Sequence, residues 1–71
     1  MKFKLQNKFE GGLWGPLSSL YQENDEFTDM GKAYSDAMDA STDTKMYGAV
    51  RVIELGTTKV LATFVNGRKV V

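Results

Sequence analysis

The sequence predicts a small α+β domain in which one amphipathic helix packs on one face of an antiparallel sheet, with the elements in the order β-α-β-β-β. Three observations predict it: charged and apolar residues alternate near the N-terminus, apolar residues recur at helical spacing over residues 25–40, and the last third is rich in Val, Ile and Tyr. A chain of 71 residues forms a single domain, residues 1–71.

The first strand is predicted from the alternation of lysines with Phe3 and Leu5 over residues 2–5, and the pattern fades towards residue 9. Gly11-Gly12 breaks it, and Gly15-Pro16 indicates a second turn. Leu17, Leu20 and Tyr21 follow at helical spacing, so a short turn of helix over residues 16–22 is a further prediction.

The helix over residues 25–40 is predicted from two opposed faces. Its apolar face carries Phe27, Met30, Tyr34 and Met38. We expect these four to pack on sheet residues Val50, Val52, Val60, Ala62 and Phe64. Acids hold the opposite side: Asp25, Asp29, Asp36 and Asp39. The three alanines of this segment, Ala33, Ala37 and Ala40, favour helix, and Asn24 and Asp25 are residue types that cap helix ends.

Three strands are predicted after the helix, over residues 46–55, 59–65 and 68–71. Gly56-Thr57 supplies the first turn between them. Asn66-Gly67, flanked by apolar strands, predicts a two-residue type I′ hairpin because both turn residues need a positive φ.

Composition removes several function classes. The chain has no cysteine and no histidine, so it has no thiolate nucleophile, no disulfide and none of the ligands of a Cys/His zinc site. Asp39-Ala40-Ser41-Thr42-Asp43 starts like a calcium loop, but Thr44 and Val50 stand where the loop needs Gly and Glu. We therefore predict no enzymatic activity, no cofactor and no metal. No apolar run spans a membrane, and no signal peptide is evident, so a cytoplasmic location is expected.

The signs of charge are separated along the chain. Residues 22–43 carry six net negative charges, and the remainder carries six net positive charges. Two interpretations of the acids stay open: a solvated helix face, or a face presented to a basic partner. On the second, the partner-binding residues are Asp25, Asp29, Asp36, Asp39 and Asp43. Trp14, in the glycine-bounded run Gly12-Leu13-Trp14-Gly15, is either a core residue or an interface anchor.

The basic residues of the predicted sheet suggest nucleic acid as an alternative partner. They are Lys2, Lys4, Arg51, Lys59, Arg68 and Lys69. Aromatic residues do not alternate with them as in single-strand binders, and the pI is 6.1. Lysines on edge strands also protect a sheet from pairing with another chain, and a homodimer formed through an edge strand is the third alternative.

The pattern as a whole resembles short orphan β-α-β-β-β proteins of bacteriophages and their hosts. The likeness rests on Trp14-Gly15-Pro16, the acidic helix, the segment from Gly48 to Glu54 and the Asn66-Gly67 hairpin. Many such proteins are compact binders that block a host complex, among them anti-CRISPR and anti-restriction proteins and polymerase inhibitors. The resemblance implies a small non-enzymatic protein-binding module, an inhibitor or modulator that occludes a larger protein with a basic surface.

Overall fold

A computed structural model describes residues 2–9, 11–17, 26–57 and 59–70. The elements of these residues, in chain order, are β1 (Phe3–Lys8), β2 (Gly15–Pro16), α1 (Met30–Ser41), β3 (Ala49–Glu54), β4 (Lys59–Val65) and β5 (Arg68–Lys69). The sheet order is β2-β1-β3-β4-β5, and every pairing is antiparallel. The α+β class, with one helix on an antiparallel sheet, is therefore confirmed.

The Gly15-Pro16 segment differs from its prediction. It is a two-residue edge strand that pairs with Gln6 and Asn7 of β1, and the buried Leu17 donates its backbone N–H to the carbonyl oxygen of Leu5. Residues 16 and 17 therefore continue the sheet and do not begin a helix. The rest of the helical turn predicted over residues 16–22 lies outside the described residues.

The predicted hairpin between β4 and β5 is confirmed. Asn66 has a φ of 52° and Gly67 a φ of 80°, as a type I′ turn requires. A Cβ on Gly67 would also lie 2.9 Å from a methyl carbon of Thr42, next to the end of α1. The turn thus needs glycine both for its backbone conformation and for its contact with the helix.

The helix begins later than its apolar pattern predicts. Asp29 is the N-cap, and its carboxylate accepts a hydrogen bond of 2.9 Å from the backbone N–H of Gly31. Phe27 lies before the helix, where it exchanges two backbone hydrogen bonds of 2.7 Å with Phe3 at the end of the sheet. Phe27 is buried as expected, but it is buried as an extended residue.

The face of α1 that meets the sheet is also different. Ala33, Ala37 and Ala40 are fully buried, whereas Met30 and Met38 are 43% and 44% exposed. The prediction that both methionines are core residues is therefore wrong. Small side chains let the helix lie close to the sheet, and the larger methionines are displaced to its flanks. Tyr34 keeps part of its predicted role, because its ring packs edge-on against Phe64 with centroids 6.0 Å apart.

One predicted core residue of the sheet is exposed because of a β-bulge. Val52 pairs with Ala62 but Ile53 pairs with Val60, which leaves Leu61 as an extra residue on β4. The bulge reverses the alternation along the strand. Val60 is consequently 39% exposed, and the predicted burial holds only for Val50, Val52, Ala62 and Phe64.

Candidate binding face

The sheet has a second face, directed away from the helix. Side chains alternate across a strand, and paired residues share a face, so the neighbours of the core residues point to the other side. We call this side the open face. By register it carries Lys4, Gln6, Lys8, Ala49, Arg51, Ile53, Val60, Thr63, Val65 and Arg68. Within the described part of the chain, the only helix, α1, lies on the opposite face.

The centre of the open face is a stack of an arginine on a tryptophan. The guanidinium carbon of Arg51 lies 4.3 Å from the ring centroid of Trp14, and the Nε–H of Arg51 donates a 2.7 Å hydrogen bond to Oε1 of Gln6. Gln6 and Arg51 are directly paired across β1 and β3. The ring and the amide therefore hold the guanidinium in one orientation, and no other described residue accepts a hydrogen bond from its outer N–H groups.

A second cation lies against the same ring. The Nζ atom of Lys8 is 5.7 Å from the Trp14 centroid. Among the described residues, neither Lys8 nor Arg51 forms a salt bridge, whereas Lys2 pairs with Glu26 at 3.0 Å and Lys32 pairs with Asp36 at 2.9 Å. The positive charge around Trp14 is thus not neutralised by a carboxylate in that part of the chain.

An apolar groove opens beside this cluster. It has a volume of about 280 Å³ and is lined by Lys8, Phe9, Thr44, Gly48, Ala49 and Val65. Phe9 and Val65 are 48% and 43% exposed, so the groove presents apolar surface to solvent. Lys8 belongs to both the groove and the Trp14 cluster, which joins the two into one surface.

The predicted acidic residues that the structure describes differ in their exposure and in their contacts. Asp36 is buried, with its carboxylate held by Lys32, so its placement on a solvated acidic face is wrong. Asp29 caps the helix, and the Asp43 carboxylate accepts a 3.0 Å hydrogen bond from the backbone N–H of Met46. Asp39 is exposed on the outer side of α1. Asp25 lies outside the described residues.

Trp14 is half-buried and is not part of the hydrophobic core, so the core interpretation of this residue is wrong. The sequence pointed to Trp14 as a candidate interface residue and to Arg51 as a candidate nucleic-acid contact, but it did not point to Gln6, Lys8 or the groove beside them. Alternation along residues 4–8 carried a signal for Gln6 and Lys8. Their proximity to Trp14 depends on the pairing of β1 with β2 and β3, which the sequence alone does not give.

The six basic residues of the nucleic-acid alternative are divided between surfaces. Lys4, Arg51 and Arg68 belong to the open face, whereas Lys69 pairs with Phe64 and shares the helix side. Lys2 is engaged by Glu26. The two outermost strands, β2 and β5, have two residues each and contain a proline or two bases, all features that discourage pairing with another chain.

Within the described residues, no group of three or more acidic residues is placed to hold a metal ion, and no helix is long and apolar enough to cross a membrane. Comparison with protein-family models, with curated proteins and with solved structures gives no match. The geometry of the open face is therefore the main guide to the function of this chain.

Proposed function

We propose that this chain is a small non-enzymatic protein-binding module that docks a partner protein on the open face of its sheet. The observation that supports this most strongly is the Arg51–Trp14 stack beside an apolar groove. Tryptophan and arginine are the residue types that most often dominate protein–protein binding energy, and they do so when apolar surface surrounds them.

The arrangement of Arg51 favours binding for an energetic reason. An arginine on a bare surface loses side-chain freedom when it docks, at a cost of about 0.5–1.5 kcal/mol. In this chain the Trp14 ring and the Gln6 amide already restrict the guanidinium. Part of that cost is therefore met during folding, and more of the contact energy is retained as affinity.

The proposal retains the protein-binding module that the sequence predicts, but it assigns binding to a different surface. Among the predicted acids that the structure describes, three are occupied in capping, in an ion pair or in the turn after the helix, and Asp39 is the exception. The phage-type inhibitor role, acting by occlusion of a larger complex, stays a prediction. Under this proposal the occluding surface is the open face, and the complementary charge on the partner is negative.

A nucleic-acid partner is the second candidate, because Lys4, Lys8, Arg51 and Arg68 supply positive charge to one face. Nucleic-acid affinity grows with the number of phosphates contacted. Four cations give few contacts, and the apolar groove has no counterpart on a phosphate backbone. A protein partner accounts for both the charge and the groove.

Affinity capture from extracts of the organism that encodes the chain tests the proposal. The immobilised wild-type chain is compared with Trp14→Ala, with Arg51→Gln and with Asp39→Asn as a matched exposed control. We expect one protein to be retained in stoichiometric amount by the wild type and by Asp39→Asn, and to be lost from the other two variants. Retention by both open-face variants would contradict the proposal, and recovery of nucleic acid without a stoichiometric protein would favour the second candidate.

A further inference from the structure

Among the described residues, the Arg51 guanidinium uses little of its hydrogen-bonding capacity. Arginine has five N–H donors in a planar fork, and within that part of the chain only the Nε–H forms a hydrogen bond, to Gln6. No described residue accepts a hydrogen bond from the Nη groups at the outer edge, and one face of the fork is covered by Trp14. A carboxylate that approaches this edge can accept two parallel hydrogen bonds, the strongest contact available between such groups.

The groove is placed at a defined distance from that edge. Ala49, which lines the groove, and Arg51 lie two residues apart on β3, on the same face of the sheet. Two residues of a strand span about 6.6 Å. An extended peptide that runs along β3 repeats its own side chains at the same interval, so one of its side chains meets Arg51 when the next on that side meets the groove.

We propose that the open face binds an extended acidic-apolar segment of the partner protein. In this segment a glutamate or aspartate binds the Nη groups of Arg51, and a large apolar residue two positions away fills the groove lined by Phe9, Ala49 and Val65. Gln6 is a positioning residue, because it acts by orienting the guanidinium. Lys8, between the two subsites, adds attraction for the acidic residue. This inference rests on the proposed function and names the chemistry of the partner.

Charge and apolarity together favour a peptide over a polynucleotide. Phe9 and Val65 expose apolar surface that a hydrophobic side chain covers and a phosphate does not. The cationic cluster is compact, with both of its cations against one ring. A single carboxylate matches such a cluster, whereas a polynucleotide needs a row of phosphate contacts.

A titration followed by NMR tests the inference with the full chain. The probe is a short Gly/Ser peptide that contains one glutamate and one leucine separated by one residue, made in both orders. The matched controls replace glutamate by glutamine or leucine by alanine, and a single-stranded oligothymidine serves as the polyanion. The side-chain N–H signals of Trp14 and Arg51 and the backbone amide of Ala49 report binding.

We expect the preferred peptide to shift all three signals. Glutamine in place of glutamate is expected to weaken binding about tenfold or more, because a charge-assisted bidentate contact is lost. In Arg51→Gln the difference between the two peptides is expected to shrink to the small part that Lys8 supplies, whereas in Arg68→Gln, the same change at another arginine of the open face, the full difference is expected to persist. Gln6→Ala should reduce the difference without abolishing it.

Several results would overturn the inference. They are the absence of peptide binding, equal affinity of the glutamate and glutamine peptides for the wild type, an unchanged difference in Arg51→Gln, and tighter binding of oligothymidine to the same signals. If any of these results is found while Trp14→Ala still fails to capture the partner, the peptide chemistry is refuted and the open face stays the proposed docking surface. If Trp14→Ala and Arg51→Gln both capture the partner as the wild type does, the proposed function itself is refuted.

Discussion

The hydroxyl of Ser41, the last residue of α1, accepts a hydrogen bond of 2.9 Å from the backbone N–H of Gly67 and donates one of 2.8 Å to the carbonyl oxygen of Met38. Ser41 is fully buried. One side chain thus satisfies a carbonyl in the last turn of the helix and the turn of the β4–β5 hairpin. It fixes the end of the helix relative to the strand pair at one side of the sheet.

Ser41→Ala removes both bonds and leaves the Gly67 N–H without this acceptor. We expect a loss of about 1–3 kcal/mol in the free energy of unfolding, measured by urea denaturation. Ser35→Ala, the same substitution on the exposed side of the same helix, is the control and should be neutral or slightly stabilising. Equal stability of the two variants would show that the Ser41 bonds do not contribute.

Because alanines form the buried face of α1, we expect a larger side chain on that face to destabilise the fold, and the loss of an exposed methionine to have little effect. Ala37→Leu adds bulk where the helix meets the sheet, and we expect it to cost about 1–3 kcal/mol in unfolding free energy. Met38→Ala removes a large side chain that is 44% exposed, and we expect a change within about 0.5 kcal/mol. Thermal denaturation of both variants checks this, and a greater loss from Met38→Ala would place the helix in the orientation predicted from sequence.

Gly48 sits where β3 begins and where the groove is formed. Its φ is 72°, and a Cβ at this position would overlap the backbone carbonyl of Lys8. Gly48→Ala should therefore destabilise the fold by more than about 1 kcal/mol and separate the groove walls. Gly15→Ala, at a glycine with ordinary φ and open space around it, is the matched control. If denaturation shows that Gly15→Ala is the less stable of the two variants, the requirement for glycine at position 48 is contradicted.

Replacing each acidic residue by asparagine should change the stability of the fold by an amount that depends on the contacts of that residue. Asp29→Asn and Asp43→Asn keep an oxygen that can cap, so we expect both to be close to neutral for stability. Asp39→Asn should be slightly stabilising, because the negative end of the helix dipole is near. Asp36→Asn should be the most destabilising of the four, since it weakens the buried contact with Lys32. Denaturation curves that show equal effects would indicate a uniformly solvated acidic face.

The parts of the fold that local chemistry determines were predictable from the sequence. Asn66-Gly67 specifies its hairpin through backbone conformation, and the alternation of Phe3 and Leu5 specifies a strand face. The orientation of α1 was not predictable. Side-chain hydrophobicity favoured burial of Met30 and Met38, whereas close packing of the helix on the sheet favours burial of the alanines. The exposure of Val60 follows from a bulge that alternation cannot reveal.

The cluster around Trp14 could not be predicted from the sequence for a related reason. Gln6 lies on β1 and Arg51 on β3, and Trp14 directly precedes β2. Only the register of β1 with its two neighbours brings the three together. The acidic residues were prominent in the sequence because they are numerous. Their side chains turn out to serve mainly the local structure of the helix and of the turn that follows it.

Mapping the footprint of the captured partner on the isotope-labelled chain decides between the open face and the acidic helix as the docking surface. We expect backbone and side-chain NMR signals of Gln6, Lys8, Trp14 and Arg51 to shift or broaden when the partner is added, while those of Ser35 and Asp39 on the outer side of α1 stay unchanged. The reverse pattern, with changes at Ser35 and Asp39 and none around Trp14, would contradict this expectation and return the interface to the acidic helix.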